Sequence, residues 1–443
     1  MARLFGTDGI RGVANVDLKP SLAVALGRAT AHHLATPGGA LVVGQDTRRS
    51  GDMFVAAITA GATSLGVDVH VVGVVPTPAL AYLTRSGPFA AGIMVSASHN
   101  PADDNGLKVL DGDGLKLDDT VEDELEQLIW REAELGGHGN AQLGRRVDAS
   151  ELVDDYVVHR RALASDIDAT GRRIVLDGAN GSGSLVGADI LATTGASVEA
   201  IHVDPDGINI NVRSGATDPA SLADAVIARG ADVGFALDGD ADRLIAVDAT
   251  GRVVDGDQVL GILALDRLAR GVLPGGLVVS VLSNGGLQAA VEAAGGEVIR
   301  TPVGDKYILD GMQVSGATLG GEKSGHVIIL EHTTSGDGLV TALEVLRVMA
   351  RRDRSLAELA AEIPLLPQQQ RAVRARHKDQ WEGDPVLTRA IADARNRLGD
   401  SGRVLVRPSG TEPALRVMVE GEDAALVTEL ADALATLAGE RLH

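Results

Sequence analysis

Three acidic residues alternate in the segment LDGDADRL, residues 237–244, directly behind an apolar run. Alternate side chains of an extended loop point the same way, so Asp238, Asp240 and Asp242 can converge on one hard cation. Mg²⁺ suits such oxygen ligands and takes its remaining ligands from water and phosphate. Arg243 could pair with an anion beside the metal. The alternative is an acidic turn held by Asx hydrogen bonds, but three alternating acids favour a metal site.

A second polar loop lies in GIMVSASHNPADDNGLK, residues 92–108, where an apolar run stops at Ser96. Ser98 has no GxSxG elbow, and the sequence supplies no Ser-His-Asp triad around it. We expect His99 to point away from Ser98, because neighbours in an extended chain face opposite sides. Ser98 alone reads as an ordinary turn residue. Together with a divalent cation and a phosphoryl group, it becomes a candidate nucleophile.

A third loop, VRPSGTEPALRV at residues 406–417, could hold a phosphate dianion. Hydroxyl groups, backbone N–H groups freed by glycine and two guanidinium groups are suitable donors for such an anion. The residues concerned are Arg407, Ser409, Gly410, Thr411 and Arg416. A hairpin loop with surface arginines is the equally balanced alternative.

The segment GGEKSGHVI, residues 320–328, alternates Glu322, Ser324 and His326. Alternation could turn these three side chains to one side, where they would meet sugar hydroxyls. A strand end with two glycines would look much the same, so this signal is weak.

Two further glycine-containing segments are interpreted as structural. DGANGSGS, residues 177–184, spaces its glycines as GxxGxG and lacks the GxGxxG spacing of a dinucleotide loop, so it predicts a tight turn from strand to helix. SGDGLVTALEVL, residues 335–346, predicts a helix whose first turn is led by an aspartate.

Composition excludes several functional classes. The chain has 443 residues, of which 45% are hydrophobic and only 2% aromatic, which argues against base-stacking platforms. Its 61 acidic and 40 basic residues give a net charge of −21, which opposes nucleic-acid and anionic-membrane partners. The absence of cysteine excludes disulfides, thiolate catalysis and zinc–thiolate sites. The first residues lack the apolar core of a signal peptide, and no apolar run is long enough to span a membrane. We therefore expect a soluble, cytoplasmic protein.

The helices and strands that must position these loops show the same sequence pattern in three segments, residues 40–73, 172–203 and 276–304. Each begins with a β-branched run, passes through a polar loop, continues in an Ala-rich stretch of helical length and ends in a second apolar run. That is the pattern of a βαβ crossover, which joins parallel strands. We predict an α/β protein with three similar domains containing mostly parallel mixed sheets and a smaller C-terminal α+β domain.

The predicted domain boundaries lie where this pattern of strands and helices is interrupted. We predict domains at residues 1–152, 153–251, 252–367 and 368–443, carrying in turn the serine, acidic, sugar and phosphate loops. The segment IPLLPQQQ, residues 363–370, reads as the linker before the last domain, because prolines at 364 and 367 interrupt regular structure.

Five segments occur in the order seen in α-D-phosphohexomutases, and the chain resembles that family over essentially its whole length. They are FGTDGIRG (5–12), GIMVSASHNP (92–101), DGDADR (238–243), GEKSGH (321–326) and RPSGTEP (407–413). Within the family, FGTDGIRG and SASHNP resemble the branch that acts on glucosamine phosphates more than the phosphomannomutase/phosphoglucomutase branch.

The resemblance implies a role for each matching residue. Ser98 would be the phosphorylated serine and, through its phosphate, would join Asp238, Asp240 and Asp242 around one Mg²⁺ ion. The general acid and base would be sought among the cleft residues Arg11, Lys108 and His326. Arg243 would lie near the serine phosphate, and His99 would also belong to the catalytic site. Sugar contacts would come from Glu322 and Ser324. Phosphate contacts would come from Lys306, Arg407, Ser409, Gly410, Thr411 and Arg416.

The implied reaction converts glucosamine 6-phosphate into glucosamine 1-phosphate through a 1,6-bisphosphate, which would also serve as activator. The resemblance further suggests a homodimer. Two positions depart from the family pattern: Lys323, where relatives commonly carry Gln or Met, and Lys306, where the glucosamine branch often has Arg. The alternatives are a phosphomannomutase or phosphoglucomutase, and a catalytically silent sugar-phosphate-binding protein on the same scaffold.

Overall fold

The computed structural model describes residues 3–6, 8–36, 38–409 and 413–443. The contacts within the chain divide it into two units. The first consists of residues 1–281 and 294–362, and the second of residues 282–293 and 363–443. Three mixed sheets belong to the first unit and one antiparallel sheet to the second.

The first sheet has six strands in the order β1-β5-β4-β2-β3-β6. The strands are β1 (Ile10–Val13), β2 (Ala40–Gln45), β3 (Asp68–Val74), β4 (Ala91–Val95), β5 (Asp104–Asp111) and β6 (Arg146–Asp148). The helices of this region are α1 (Pro20–Leu34), α2 (Gly51–Thr63), α3 (Thr77–Ser86) and α4 (Asp119–Trp130), and α5 (Val153–Ala164) follows. Strand β4 is buried along its whole length, as expected for a central strand covered on both faces.

The second sheet has the order β11-β10-β9-β7-β8. Its strands are β7 (Arg173–Asp177), β8 (Ser197–Ile201), β9 (Val233–Leu237), β10 (Leu244–Asp248) and β11 (Val253–Val254), with helices α6 (Gly187–Ala192) and α7 (Ala220–Arg229) between them. Strands β9 and β10 pair antiparallel, so the acidic segment is the loop of a hairpin.

The third sheet has the order β13-β12-β14-β15. Its strands are β12 (Leu277–Ser280), β13 (Val298–Thr301), β14 (Leu319–Gly321) and β15 (Val327–Ile329). The helices in this stretch of chain are α8 (Gly256–Ala269), α9 (Gly285–Ala293), α10 (Asp305–Ser315), α11 (Gly338–Arg352) and α12 (Leu356–Ala360). Helix α9 belongs to the second unit.

The second unit contains a three-stranded antiparallel sheet in the order β16-β18-β17. Its strands are β16 (Gln368–Arg374), β17 (Arg403–Pro408) and β18 (Ala414–Glu420), and its remaining helices are α13 (Pro385–Leu398) and α14 (Ala424–Arg441). Short 3₁₀ helices span Glu132–Leu135, Asn140–Gln142, Ser150–Leu152, Ser182–Leu185, Gly215–Thr217 and Lys378–Gly383.

The predicted fold class is confirmed. The three crossovers join parallel pairs: β2 with β3, β7 with β8, and β12 with β13. Two structural interpretations also hold: residues 177–184 turn from β7 into a 3₁₀ helix, and the Asp337 side chain caps α11 by accepting from Leu339 N and Val340 N. None of the helices in the described ranges combines the length and apolar character that a membrane crossing requires.

Candidate active site

The acidic loop between β9 and β10 brings its three carboxylates together. One oxygen from each of Asp238, Asp240 and Asp242 lies within 4.8 Å of the others, and all three residues are buried. We expected an extended backbone in this loop, but the backbone turns at Ala241, which has a left-handed φ of 58°. A tight turn, and not strand-like alternation, therefore makes the side chains converge.

The partners of these carboxylates leave room for a cation. Asp240 Oδ2 accepts from Thr77 Oγ1 at 2.6 Å and from Lys108 Nζ at 2.8 Å. Among the described residues, Asp240 Oδ1 and Asp242 Oδ1 are buried without a hydrogen-bond partner. Orphaned buried oxygens are costly in a native protein, and a hard divalent ion satisfies such oxygens. The donor set therefore fits a divalent cation.

The pKa values of Asp238 and Asp242 are shifted in opposite directions. Burial raises the pKa of Asp238 well above its usual range, and the charges of Asp242 and Asp240 raise it further. Burial acts in the same direction on Asp242, but His326 and Lys108 hold the pKa of that carboxyl below its usual range. A cation bound here would offset the charges of these crowded carboxylates and favour the ionised form of Asp238.

Ser98 faces this loop from the turn between β4 and β5. Its side chain is buried, and Ser98 Oγ donates to Asp238 Oδ2 at 2.6 Å. The expectation that His99 points away from Ser98 is wrong: His99 Nδ1 lies 3.3 Å from Ser98 Oγ. The reason is the left-handed φ of 51° at Ser98, which breaks the extended geometry. Burial, followed by the charges of Arg243 and Arg11, lowers the pKa of His99 to about 4.

The serine loop and the acidic loop touch at Gly239. A Cβ atom added there would lie 2.6 Å from the Ser98 carbonyl oxygen, closer than real Cβ atoms come. Only glycine allows the backbone of the acidic loop to approach Ser98 this closely.

Lys108 on β5 ties the acidic loop to the N-terminal segment. Its ammonium lies 2.8 Å from Asp240 and 3.1 Å from Asp8. Burial alone would lower the pKa of Lys108, but the carboxylates of Asp240 and Asp8 raise it, so the ammonium stays charged. Asp8 also pairs with Arg11, and Arg11 Nη1 donates to Asn100 Oδ1 at 3.1 Å.

A second chain of charges reaches His326. Lys116 pairs with both Asp8 and Asp305. His326 lies between two acids, with Nε2 3.5 Å from Asp305 and Nδ1 3.6 Å from Asp242. Because Lys108 Nζ also lies 4.0 Å from Asp242 Oδ2, these pairs close a ring in which acidic and basic groups alternate, called the charge ring below. The ring joins elements of all three sheets of the first unit.

The predicted alternation of Glu322, Ser324 and His326 does not describe their geometry. Residues 322–325 form the tight turn between β14 and β15, in which Gly325 N donates to Glu322 O at 3.0 Å. His326 is buried at the charge ring, Glu322 Oε1 accepts from Gly304 N at 3.1 Å, and Ser324 is exposed. The structure therefore does not bring the three side chains to one side.

Two more predicted site residues, Arg243 and Lys306, have different hydrogen-bond environments. Arg243 Nε, among the described residues, is a buried donor without a hydrogen-bond partner, as suits a group that receives an anion. Lys306, on the first turn of α10, donates to Asp119 Oδ1 at 2.8 Å. Lys306 also lines a cavity of about 230 Å³ together with Lys108 and His326.

In the second unit, Arg407 and Arg416 are direct cross-strand neighbours on β17 and β18. Like charges placed opposite one another destabilise a sheet, so an anion bound between them would be stabilising. Both arginines line a cavity of about 190 Å³, and Ser409 begins the loop that joins their strands. Gly410 and Thr411 lie outside the described residues.

Four family models of phosphoglucomutase/phosphomannomutase match the chain in order. They are alpha/beta/alpha domain I at residues 2–135, domain II at 154–251, domain III at 255–365 and the C-terminal domain at 371–437. The chain belongs to this family. Membership of the α-D-phosphohexomutase group, which the sequence predicted, is therefore confirmed.

Curated relatives agree with this assignment. The chain is 52% identical to a phosphoglucosamine mutase of Moorella thermoacetica over 427 residues, covering 96% of both proteins. It is 46% identical to a phosphoglucosamine mutase of Desulforamulus reducens over 443 residues, covering 99% of this chain and 100% of the relative.

Solved structures share the fold. A phosphoglucomutase/phosphomannomutase family protein from Burkholderia thailandensis superposes with a TM-score of 0.84 at 26% identity, covering 100% of this chain and 98% of the other. An N-acetylphosphoglucosamine mutase of Aspergillus fumigatus, solved with GlcNAc-6P and magnesium, has a TM-score of 0.71 at 19% identity. It covers 99% of this chain and 96% of its own, and at that identity it supports the fold alone.

Each of the first three family domains supplies part of the site: Ser98 from domain I, the acidic loop from domain II and His326 from domain III. Sequence reasoning singled out none of Asp8, Thr77, Lys116 and Asp305 as members of this arrangement. Asp8 could have been found, since it stands inside the FGTDGIRG motif. The other three lie in separate elements without a chemical pattern of their own, so only the fold brings them to the site.

Proposed function

We propose that this protein is a phosphoglucosamine mutase that interconverts glucosamine 6-phosphate and glucosamine 1-phosphate through phosphorylated Ser98. One observation carries the mechanism: the Ser98 hydroxyl lies 2.6 Å from a carboxylate of a buried three-acid cluster that fits a divalent cation. The choice of sugar is supported by the 52% identity to a phosphoglucosamine mutase over nearly the whole chain.

The cation of this proposal is Mg²⁺, held by Asp238, Asp240 and Asp242 with an oxygen of the Ser98 phosphate. When bound, it would neutralise charge on the phosphoryl group during transfer. Support comes from the oxygen-only donor set and from the two orphaned carboxylate oxygens of the described site.

The two transfers balance without a co-reactant. In the first, the P–O bond to Ser98 breaks while the free sugar hydroxyl bonds to phosphorus, which gives a 1,6-bisphosphate. The hydroxyl proton ends on Ser98 Oγ. After the intermediate turns around, its other phosphate returns to Ser98 and the proton returns to the sugar. Phosphoryl transfer of this kind depends on positioning and charge neutralisation more than on covalent help from the protein.

Fixed charges of the chain suit that task. Lys108 remains an ammonium between Asp240 and Asp8, so it would act as a permanent positive charge beside the reacting phosphate. Arg243 would contact the same phosphate through Nε, which lies 3.8 Å from Asp242 Oδ1 and has no hydrogen-bond partner among the described residues. His99, with its pKa lowered by burial to about 4, would be neutral near pH 7 and would accept or donate a hydrogen bond without adding charge beside Ser98.

The remaining site residues enter the proposal through the family resemblance. Arg11 and His326 complete the reaction cleft, Glu322 and Ser324 contact sugar hydroxyls, and Lys306 contacts phosphate. Arg407, Ser409, Gly410, Thr411 and Arg416 bind a phosphate group of the substrate. The opposed arginines on β17 and β18 support the last assignment.

Two further parts of the proposal rest on the same resemblance: glucosamine 1,6-bisphosphate, or a similar sugar bisphosphate, is the activator, and the protein acts as a homodimer. Its location in the cytoplasm is proposed from the composition and the first residues of the sequence. The domain limits proposed are 1–152, 153–251, 252–367 and 368–443.

A coupled assay with Mg²⁺ and catalytic sugar bisphosphate tests the proposal. Glucosamine 6-phosphate, mannose 6-phosphate and glucose 6-phosphate are each offered to wild type, to Ser98→Ala and to the control Ser86→Ala. The hydroxyl group of Ser86, at the end of α3, donates to the Tyr82 carbonyl oxygen. We expect the highest kcat/KM for glucosamine 6-phosphate, no turnover by Ser98→Ala, and wild-type turnover by Ser86→Ala.

Other outcomes of this assay contradict defined parts of the proposal. A preference for mannose or glucose phosphate would make the enzyme a phosphomannomutase or phosphoglucomutase with the same mechanism. Turnover by Ser98→Ala at the wild-type rate would disprove the phosphoserine mechanism.

A further inference from the structure

Arg48 is an arginine with no exposed side-chain surface, in the loop that follows β2. Charged residues are almost never fully buried unless their partners satisfy them. The reaction proposed above does not use Arg48, which makes the reason for its burial a separate question.

The guanidinium group of Arg48 binds the backbone of the serine loop. Its Nη2 donates to the carbonyl oxygens of Ser98 at 2.9 Å and Asn100 at 2.8 Å. Its Nη1 donates to the carbonyl oxygen of Asp104 at 3.0 Å and to that of Pro101. Its Nε donates to Asp46 Oδ2 at 2.9 Å, so all three nitrogens are engaged and four carbonyls of one loop share one cation.

The pair of Asp46 and Arg48 also binds the Ser98 N–H group, through Ser96. Ser98 N donates to Ser96 Oγ at 2.9 Å, and Ser96 Oγ donates to Asp46 Oδ2 at 2.6 Å. The partner of that aspartate is Arg48. Both backbone groups of Ser98 are thus fixed by the Asp46–Arg48 pair, directly or through Ser96.

Asn211, in the loop between β8 and α7, reaches the same carbonyls. Its Nδ2 lies 2.9 Å from the oxygen of Ser98 and 3.2 Å from that of Asn100. Asn211 has a left-handed φ of 60°, a conformation that asparagine tolerates better than most residues. Two donors from different domains therefore meet on the Ser98 carbonyl.

We propose that Arg48, assisted by Asn211, is a positioning residue for phosphoryl transfer, which holds Ser98 in its left-handed conformation with Oγ directed at the acidic loop. The inference rests on the proposed function and deepens it. A left-handed φ is unfavourable for a residue with a Cβ atom, so Ser98 needs its surroundings to hold it there. The four carbonyl bonds and the bond to Ser98 N supply that constraint.

The test compares Arg48→Lys with Arg28→Lys. Arg28, on α1 in the same domain, also binds loop carbonyls, those of Glu132 and Gly136, and its side chain is largely buried. Lysine keeps the charge but loses the planar fork that serves several acceptors at once. Thermal unfolding, steady-state kinetics and the rate of Ser98 phosphorylation by glucose 1,6-bisphosphate, followed by intact mass, are measured for both.

We expect Arg48→Lys to lower kcat and the phosphorylation rate by about 100-fold, as misplacement of a reacting group does, with KM changed less than about threefold. For Arg28→Lys, kcat and the phosphorylation rate should stay within about twofold of wild type, even if its thermal stability falls as much as that of Arg48→Lys. Equal losses of rate in the two variants would overturn the positioning role, because loss of stability would then explain both.

A second pair of variants answers the case in which Arg48→Lys does not fold. Asn211→Gly removes the amide donor while keeping a residue that accepts the left-handed φ, and Asn15→Gly is the matched change at an exposed asparagine with φ of 61°. We expect about a tenfold loss of phosphorylation rate for Asn211→Gly, as for removal of other groups that support a site, and no loss for Asn15→Gly.

Wild-type phosphorylation by Asn211→Gly would overturn the inference while leaving the proposed function intact. A wild-type protein that is neither phosphorylated at Ser98 nor active on any hexose phosphate would overturn both.

Discussion

The serine loop and the acidic loop meet within hydrogen-bond distance, yet they are built on opposite rules. Four carbonyls of the serine loop are bound by Arg48, and the Ser98 N–H is bound by Ser96. The acidic loop keeps two buried carboxylate oxygens without a hydrogen-bond partner among the described residues. The serine loop is satisfied by groups of the protein, whereas the acidic loop retains acceptors that could bind a cation.

The two loops therefore differ in kind: the serine loop has a rigid backbone, and the acidic loop has buried carboxylates with free hydrogen-bonding capacity. A nucleophile that must return to the same position after each transfer benefits from a backbone fixed by internal bonds. A cation site must keep affinity for its ion, so its acids cannot all be neutralised by the protein. Stability should therefore respond oppositely to changes in the two loops.

The largest effect is expected from Asp238→Asn. This change replaces a crowded, buried carboxyl group whose pKa is raised with an amide that cannot ionise, and it leaves one oxygen where Ser98 Oγ and Arg243 N now use two. We expect kcat to fall by about 1,000-fold. The protein without Mg²⁺ should melt about 1 to 3 °C higher at pH 7, because a carboxyl group whose pKa is raised on folding lowers stability at that pH and the amide does not. Calorimetry measures the melting temperature, and the coupled assay measures kcat.

The control for that variant is Asp248→Asn on β10, another buried acid outside the cluster, whose Oδ1 accepts from Thr250 and Arg252. It should lower the melting temperature and leave kcat near wild type. A lower apo melting temperature for Asp238→Asn would contradict the view that the acidic loop is electrostatically strained.

Gly239→Ala should come next. Its Cβ would sit 2.6 Å from Ser98 O and 2.8 Å from Ile210 Cδ1, so the two loops must separate. We expect about a 100-fold loss of kcat from misplacement of Ser98 and about 1 to 3 kcal/mol of lost stability from overpacking. Gly137→Ala, where an added Cβ meets nothing within 4 Å, should be neutral in both assays.

Asp8→Asn tests the charge ring behind the acidic loop. Asp8 pairs with Arg11, Lys108 and Lys116, and those charges hold its pKa well below the usual range against the effect of burial. Asparagine leaves three cations less well oriented, and we expect about a tenfold loss of kcat. The exposed control Asp113→Asn should show none, and an unchanged kcat for Asp8→Asn would mean that the ring serves folding alone.

Bound Mg²⁺ should stabilise the folded protein against unfolding, an effect on stability that is measured apart from turnover. At a Mg²⁺ concentration about 100 times its Kd, binding should raise the free energy of unfolding by about 2.7 kcal/mol, and a chelator should reverse the gain. Thermal unfolding of wild type and Asp238→Asn, with and without Mg²⁺, measures this. A gain of equal size in the variant would show that the ion binds elsewhere.

Several features followed from local sequence alone. The three βαβ units were predictable because strand and helix periodicities are properties of consecutive residues. The acids at 238, 240 and 242 were recognisable for the same reason, and five ordered motifs identified the family. The rotation of His99 toward Ser98 was not predictable, since it depends on a left-handed φ that no residue type at 98 specifies.

The sequence by itself determined the element types, the family and the identity of the acids and of Ser98, because each is written in neighbouring residues. Only the tertiary structure decided that Arg48 holds Ser98, that Thr77 and Lys108 hold Asp240, and that Lys116 joins Asp8 to Asp305. These pairs lie far apart in the chain, and burial in a common interior of low dielectric is what makes their hydrogen bonds and charges strong.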